Sequence, residues 1–140
     1  MNKGREVIDM NVILKEENYL DHLFATYPDA KFKKGKTIIG QKIGENFFYC
    51  IYIGESFFVV TATSTATFDF YDSFKRDISE LLNLDIKENL FTIRILLTLN
   101  EKIDGQYTIT ERKFKTSKLL LTDFNKKNTR DFMSHQKTDN

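Results

Sequence analysis

Ile43-Gly44-Glu45-Asn46-Phe47-Phe48 recurs ten residues on as Ile53-Gly54-Glu55-Ser56-Phe57-Phe58. Each Gly-Glu-Asn/Ser triplet reads as a short turn, because glycine tolerates the positive φ of tight hairpins and the flanks are rich in strand formers. Two copies are too few for a solenoid. The echo therefore predicts a three-stranded antiparallel meander with strands at 37–43, 47–53 and 56–68. In the third, Val60, Ala62, Ser64, Ala66 and Phe68 alternate with Thr61, Thr63, Thr65 and Thr67, the two-residue period of a strand. The middle strand is apolar on both sides, Phe47/Tyr49/Ile51/Ile53 on one and Phe48/Cys50/Tyr52 on the other. Such a strand is either covered on both faces or left to dock a partner.

Upstream, Ile8, Met10, Val12 and Leu14 alternate like a strand, with a helical lead-in as the alternative. Leu20, Leu23, Phe24 and Tyr27 fall on one helical face, Glu16, Glu17 and Asp21 lie toward its amino end, and Pro28 stops it. Downstream, Phe74, Ile78, Leu81 and Leu82 are spaced for a second helix, from Asp69–Asp72 to about Asn83, with Asp69 and Asp72 as caps. Phe91, Ile93, Ile95, Leu97 and Leu99 predict a strand, 100–105 a turn, and Tyr107 to Phe114 its hairpin partner. Leu119 to Phe124 is a further strand or the start of a last helix. From Asn125 onward the chain is mostly polar, anchored only by Phe132 and Met133.

The fold class expected is α+β: an antiparallel sheet, a three-strand meander plus a second hairpin, with two or three helices packed on it. At 140 residues and 16.5 kDa there is room for one core. It is placed at residues 1–124, with 125–140 a polar tail that is a frayed helix or disordered. The order helix, three-strand meander, helix, strand pair resembles that of bacterial type III secretion chaperones, which would imply dimerisation through the second helix or its neighbouring strand. The resemblance is one of element order alone. No diagnostic motif carries it, and the early strand and near-neutral charge depart from it.

Twenty-one basic residues balance twenty acidic ones, but unevenly. From Ile43 to Glu111 the chain is acidic. Lys31, Lys33, Lys34, Lys36 and Lys42 make one basic cluster, and Arg112, Lys113, Lys115, Lys118, Lys126, Lys127 and Arg130 another. The single cysteine, Cys50, excludes an intrachain disulfide framework and reads as a small buried hydrophobe. The amino terminus reaches Asp9 before any apolar run, so neither a secretion signal nor a membrane span is expected, and the location expected is cytoplasmic. Only His22 and His135 could serve as imidazole bases, His22 facing water and His135 in the tail, which points away from a nucleophilic enzyme. No cofactor or metal is expected.

The function expected is a non-catalytic protein-binding module, of chaperone, inhibitor or immunity type, whose partner is another protein or a second copy of itself. Phe47, Tyr49, Tyr52, Phe57 and Phe58 would make the partner surface. The alternative is nucleic-acid binding through Lys31, Lys33, Lys34, Lys36, Arg112 and Lys113, or a metal-dependent nuclease built on Glu111-x-Lys113 with Asp104 upstream.

Overall fold

A computed structural model describes residues 14–42, 45, 47–64, 69–117 and 122–138. Helix α1 (Glu16–Thr26) precedes seven strands: β1 (Thr37–Lys42), β2 (Phe47–Ile53), β3 (Phe57–Ser64), β4 (Phe70–Asp77), β5 (Leu81–Glu88), β6 (Thr92–Ile103) and β7 (Gln106–Ser117). A second helix, α2 (Asp123–Thr138), follows. All pairing is antiparallel, in the order β4-β3-β2-β1-β7-β6-β5. The coarse expectation, a mostly antiparallel sheet with helices, is observed, as are the first three strands within the described residues and the later hairpin. The reading of residues 7–13 falls outside them, as do 65–68.

The helix expected from Asp69–Asp72 to Asn83 does not form. Those residues are β4, a single 3-10 turn at Ile78–Glu80, and the start of β5. Phe74 and Leu84 lean on the same core as Ile78 and Leu81, so the stripe is two strand faces joined at a corner. Asp72 lies on β4, not at a helix cap, whereas Asp77 accepts a hydrogen bond from Ser79 N at 2.9 Å and holds the turn. The element order that suggested the secretion chaperones is accordingly not the observed one.

Counting ladder directions around the sheet, β4 and β5 run the same way, so the chain passes through the corner without reversing. A corner of this kind lets one strand leave one sheet layer and enter a second. The two halves of the sheet then close on each other. Arg112 on β7 stands 5.2 Å from the Phe74 ring on β4, four strands away in the order, about 19 Å on a flat sheet. Ile38, Ile51, Ile53, Phe58 and Val60 from one half pack with Ile86, Ile93, Ile95, Leu97, Leu99 and Phe114 from the other. This is the main core.

The opposite face of β1–β3 is covered by α1. Tyr19, Leu20 and Leu23 pack on Ile39, Cys50, Tyr52 and Val59, with Leu14 and Phe32 completing the layer. Thr61 and Thr63, which alternation had placed on a hydroxylated face, are fully buried beneath the helix. Their hydroxyls are used there: Tyr19 OH donates to Cys50 O at 3.1 Å and shares a 2.8 Å hydrogen bond with Thr61 Oγ1, which is 2.7 Å from Ser73 Oγ. Burial raises the pKa of Tyr19 well above its usual value. His22, expected to face water, instead stacks on Phe70 at 4.8 Å, and burial lowers its pKa.

β1 pairs with β7 only at Gln41↔Lys115 and Lys42↔Phe114. Below that point the free edge of β1 meets α2, where Asn125 takes the place of a neighbouring strand. Its Nδ2 donates to Ile39 O at 3.1 Å and its Oδ1 accepts from Ile39 N at 2.8 Å. Asn128 Nδ2 donates to Thr37 O and to the buried Glu16, each at 2.9 Å. The segment expected as a tail from Asn125 thus contains a docked helix. Its polar inner face satisfies a buried strand edge that would otherwise be costly.

Candidate functional site

Two surface features emerge from this architecture: a cleft beside α1 and a projecting hairpin. The cleft, about 740 Å³, opens between the loop after α1 and the β2–β3 turn, with Lys75 of β4 at its side. Phe32 anchors the loop, with its ring set edge-on to Tyr52 at 5.1 Å and to Phe57 at 5.4 Å. Lys33 N donates to Tyr52 OH at 2.8 Å, Gly35 N donates to the Glu16 carboxylate at 3.0 Å, and Ile53 N donates to Lys36 O at 2.9 Å. The loop is therefore hydrogen-bonded to the sheet at two points and to α1 at one. On the facing wall, Gly54 N donates to Phe57 O at 2.9 Å. Gly54 does not have the positive φ its turn position had suggested. It is small for lack of space, since a Cβ there would stand 3.1 Å from Tyr52 Cε1 and 3.2 Å from Phe57 O.

Lys31, Lys33, Lys36 and Lys75 line this cleft against two carboxylates, Asp29 and Glu55. Lys75 Nζ lies 4.8 Å over the Phe57 ring, which also stacks with Tyr52 at 5.9 Å. Burial is the main cause raising the pKa of Tyr52, with Glu16 and Glu55 adding to it. The expected aromatic and basic site residues therefore converge in part: Tyr52 and Phe57 meet Lys31, Lys33 and Lys36. Lys34 points elsewhere, pairing with Glu17 at 3.4 Å. Lys75 was missed because its sequence neighbours read as a helix.

The other expected residues separate. Phe58 is fully buried in the main core, and Tyr49 leans on Phe114 at 5.5 Å while its hydroxyl donates to Glu45 at 2.7 Å. The Tyr49 pKa is pushed up to about 12, first by burial and then by that carboxylate. Phe47 remains exposed, set edge-on to the exposed Tyr71 at 6.2 Å. Cys50 is fully buried and its thiol is pushed up to about 12 by burial.

The hairpin comes from the length of β6 and β7. They pair from Thr92↔Ser117 to Ile103↔Gln106, whereas β5 reaches only Leu99 and β1 only Phe114. Residues 100–109 therefore run on as a two-stranded arm, turned by Asp104 and Gly105 at φ 52° and 82°, the positive values of a tight Asp-Gly turn. Tyr107, Ile109 and Ile103 are 68, 67 and 46% exposed on it. At its root Glu101 accepts from Thr110 Oγ1 at 2.6 Å and from Arg112 Nη2 at 3.0 Å. Arg112 thus belongs to the arm's inner face, while Lys113, Lys87 and Arg94 share the outer face of β5–β7. Glu111 lies across from Thr98, and Asp104 sits in the turn. Among the described residues no three His, Cys, Asp or Glu side chains are grouped as metal ligands, and no helix is long and apolar enough to cross a membrane.

No family model, curated protein or solved structure matches the chain.

Proposed function

We propose that the chain is a non-catalytic protein-binding module that works in the cytoplasm and contacts its partner through the β6–β7 arm. The carrying observation is the arm itself: ten residues extended beyond both neighbouring strands with Ile103, Tyr107 and Ile109 exposed. A bare two-stranded ribbon gains little from its own packing, and exposed apolar side chains on it mark a contact surface. Its β7 edge, residues 106–113, pairs with no strand among the described residues. Unpaired backbone groups flanked by apolar side chains suit an extended partner segment that adds as a strand. This keeps the partner class expected from sequence and moves the surface from the meander, whose aromatics are largely packed, to the arm.

A photo-crosslinking residue at Tyr107 in source cells tests it. The expected result is a discrete adduct with another protein that an Ile109→Lys change in the same chain abolishes. No adduct, or one unaffected by Ile109→Lys, overturns the reading.

A second reading, nucleic-acid binding, is favoured by one observation. Lys87, Arg94 and Lys115 stand directly opposite one another across β5, β6 and β7, with Lys113 next along β7. Like charges face to face destabilise a sheet unless an anion lies over them. Among the described residues, Lys87 pairs with Asp85 at 3.9 Å. An oligonucleotide affinity that falls steeply with salt and is lost in Arg94→Gln/Lys113→Gln would support this reading; salt-insensitive binding would end it.

A further inference from the structure

We propose that the cleft between the post-α1 loop and the β2–β3 turn is a binding site for a phosphorylated small molecule of nucleotide size, independent of the arm. Its phosphate would lie among Lys31, Lys33, Lys36 and Lys75, and its apolar part against Phe57.

The charge pattern is the first argument. Lys34, Lys42, Lys87 and Lys127 pair with Glu17, Glu45, Asp85 and Asp131. In the cleft four lysines drawn from the loop and β4 converge, and none of them forms an ion pair among the described residues, although Asp29 and Glu55 line the same space. Four cations against two carboxylates in one concavity raise the local anion concentration. The surplus over the two carboxylates suits a phosphate-bearing ligand, a group lysine binds as a point charge.

Shape is the second argument. The volume, about 740 Å³, lies within the range of small-molecule sites and far exceeds a bare phosphate. Phe57, half-buried in the cleft wall, offers apolar surface for the remainder of the ligand. Preorganisation is the third. Phe32 wedged against Tyr52 and Phe57, the Lys33 N–Tyr52 OH bond and the Ile53 N–Lys36 O bond fix the loop before any ligand arrives. Less ordering entropy then opposes binding. Tyr52 itself is spent on holding the loop and is a positioning residue.

The test is a titration of the full chain with ADP, read by amide shifts in a two-dimensional NMR spectrum, with inorganic phosphate and a short single-stranded oligonucleotide as parallel probes. Saturable shifts are expected at residues 29–33, 54–57 and 75 with ADP, weaker ones at the same places with inorganic phosphate. Lys33→Gln/Lys75→Gln should weaken ADP binding by about tenfold or more, each lost charge-assisted contact contributing on that order. If that pair does not fold, as judged by its own spectrum, Lys31→Gln alone, on an exposed loop position, should give several-fold weakening. Lys87→Gln should change nothing. The proposal is overturned by absence of saturable shifts, by shifts confined to β5–β7, by an unchanged affinity in the lysine variants, by inorganic phosphate binding as tightly as ADP, or by a response to the oligonucleotide alone. Since the arm takes no part, loss of crosslinking at Tyr107 would leave these outcomes untouched.

Discussion

At the scale of single residues, the side chains that decide the architecture include several that hydropathy cannot flag. Asn125 and Asn128 are each 2% exposed, yet they look like tail residues in a polar run. They are buried because an amide carries a donor and an acceptor that copy a strand's own peptide group, and Ile39 offers the matching pair. Asn125→Ala removes both partners at once and strands a buried N–H and C=O. It should lower unfolding stability by about 2–4 kcal/mol in urea titration. Asn125→Asp keeps the acceptor but sets a buried carboxylate oxygen against Ile39 O, so at neutral pH it should destabilise at least as much; equal stability of all three forms would show the latch to be idle. The reading of Cys50 as a buried hydrophobe was available from its apolar neighbours. With its thiol pushed up to about 12 it should resist alkylation at pH 8 in the native state and react only as the molecule opens. Native labelling at the rate of a free thiol would contradict that burial. The cleft was half legible in the same way: Tyr52, Phe57 and the Lys31–Lys36 run stood out as residue types, but nothing local said that they face one another across a loop.

At the scale of elements, the expectations for β1 and β2 rested on the ten-residue echo, those for α1, β3 and β6 on periods sustained over many residues, and these elements are present. The stretch from Phe70 to Glu88 defeated the same method because its apolar spacing is that of a helix if read continuously. Two short strand faces set either side of a 3-10 turn give Phe74, Ile78 and Leu81 the intervals of a helical stripe. Only the fold as a whole separates the two, since a corner is defined by which sheet layers it joins. The arm could be recognised as a hairpin but not as a projection, because its overhang depends on where β5 and β1 stop. Its root depends on ionisation. Burial raises the Glu101 pKa, but hydrogen bonds from Thr110 and Arg112 and the Arg112 charge outweigh it and hold the carboxyl below its ordinary value of 4.5. A group whose folded pKa is depressed stabilises in full above its unfolded pKa, and that contribution is lost as pH falls through the folded value. Exchange protection of the 108–112 amides should therefore drop as pH is lowered from about 5 toward about 3. In Glu101→Gln the protection should be lower at neutral pH and nearly independent of pH over that interval. A pH response unchanged by the substitution would assign it to some other group.

At the scale of the whole molecule, β1 carries the closure of the sheet on every side. It pairs along its length with β2, touches β7 through two residue pairs, and offers its remaining edge to α2. Where it crosses the main core, Gly40 has no side chain to spare: a Cβ there would lie 2.8 Å from Phe114 Cβ and 3.5 Å from Ile95 Cδ1. The first contact is with the root of a side chain, so it cannot be relieved by rotating a flexible end. Gly40→Ala must push β7 away from β1 or bend β1 away from α2, and either movement opens the main core at its join. The cost expected is about 1–3 kcal/mol, that of overpacking a dense interior, partly offset by the lower unfolded-state entropy of alanine. The damage should be distributed in a particular way. Exchange protection should fall at Gln41, Lys42, Phe114 and Lys115, while the β2–β3 ladder, held by its own pairing and by α1, keeps most of its protection. A Gly40→Ala protein with wild-type stability, or one losing protection evenly across all seven strands, would mean that the two halves of the sheet are not hinged at β1 and that the corner at Ile78–Glu80 alone holds them together.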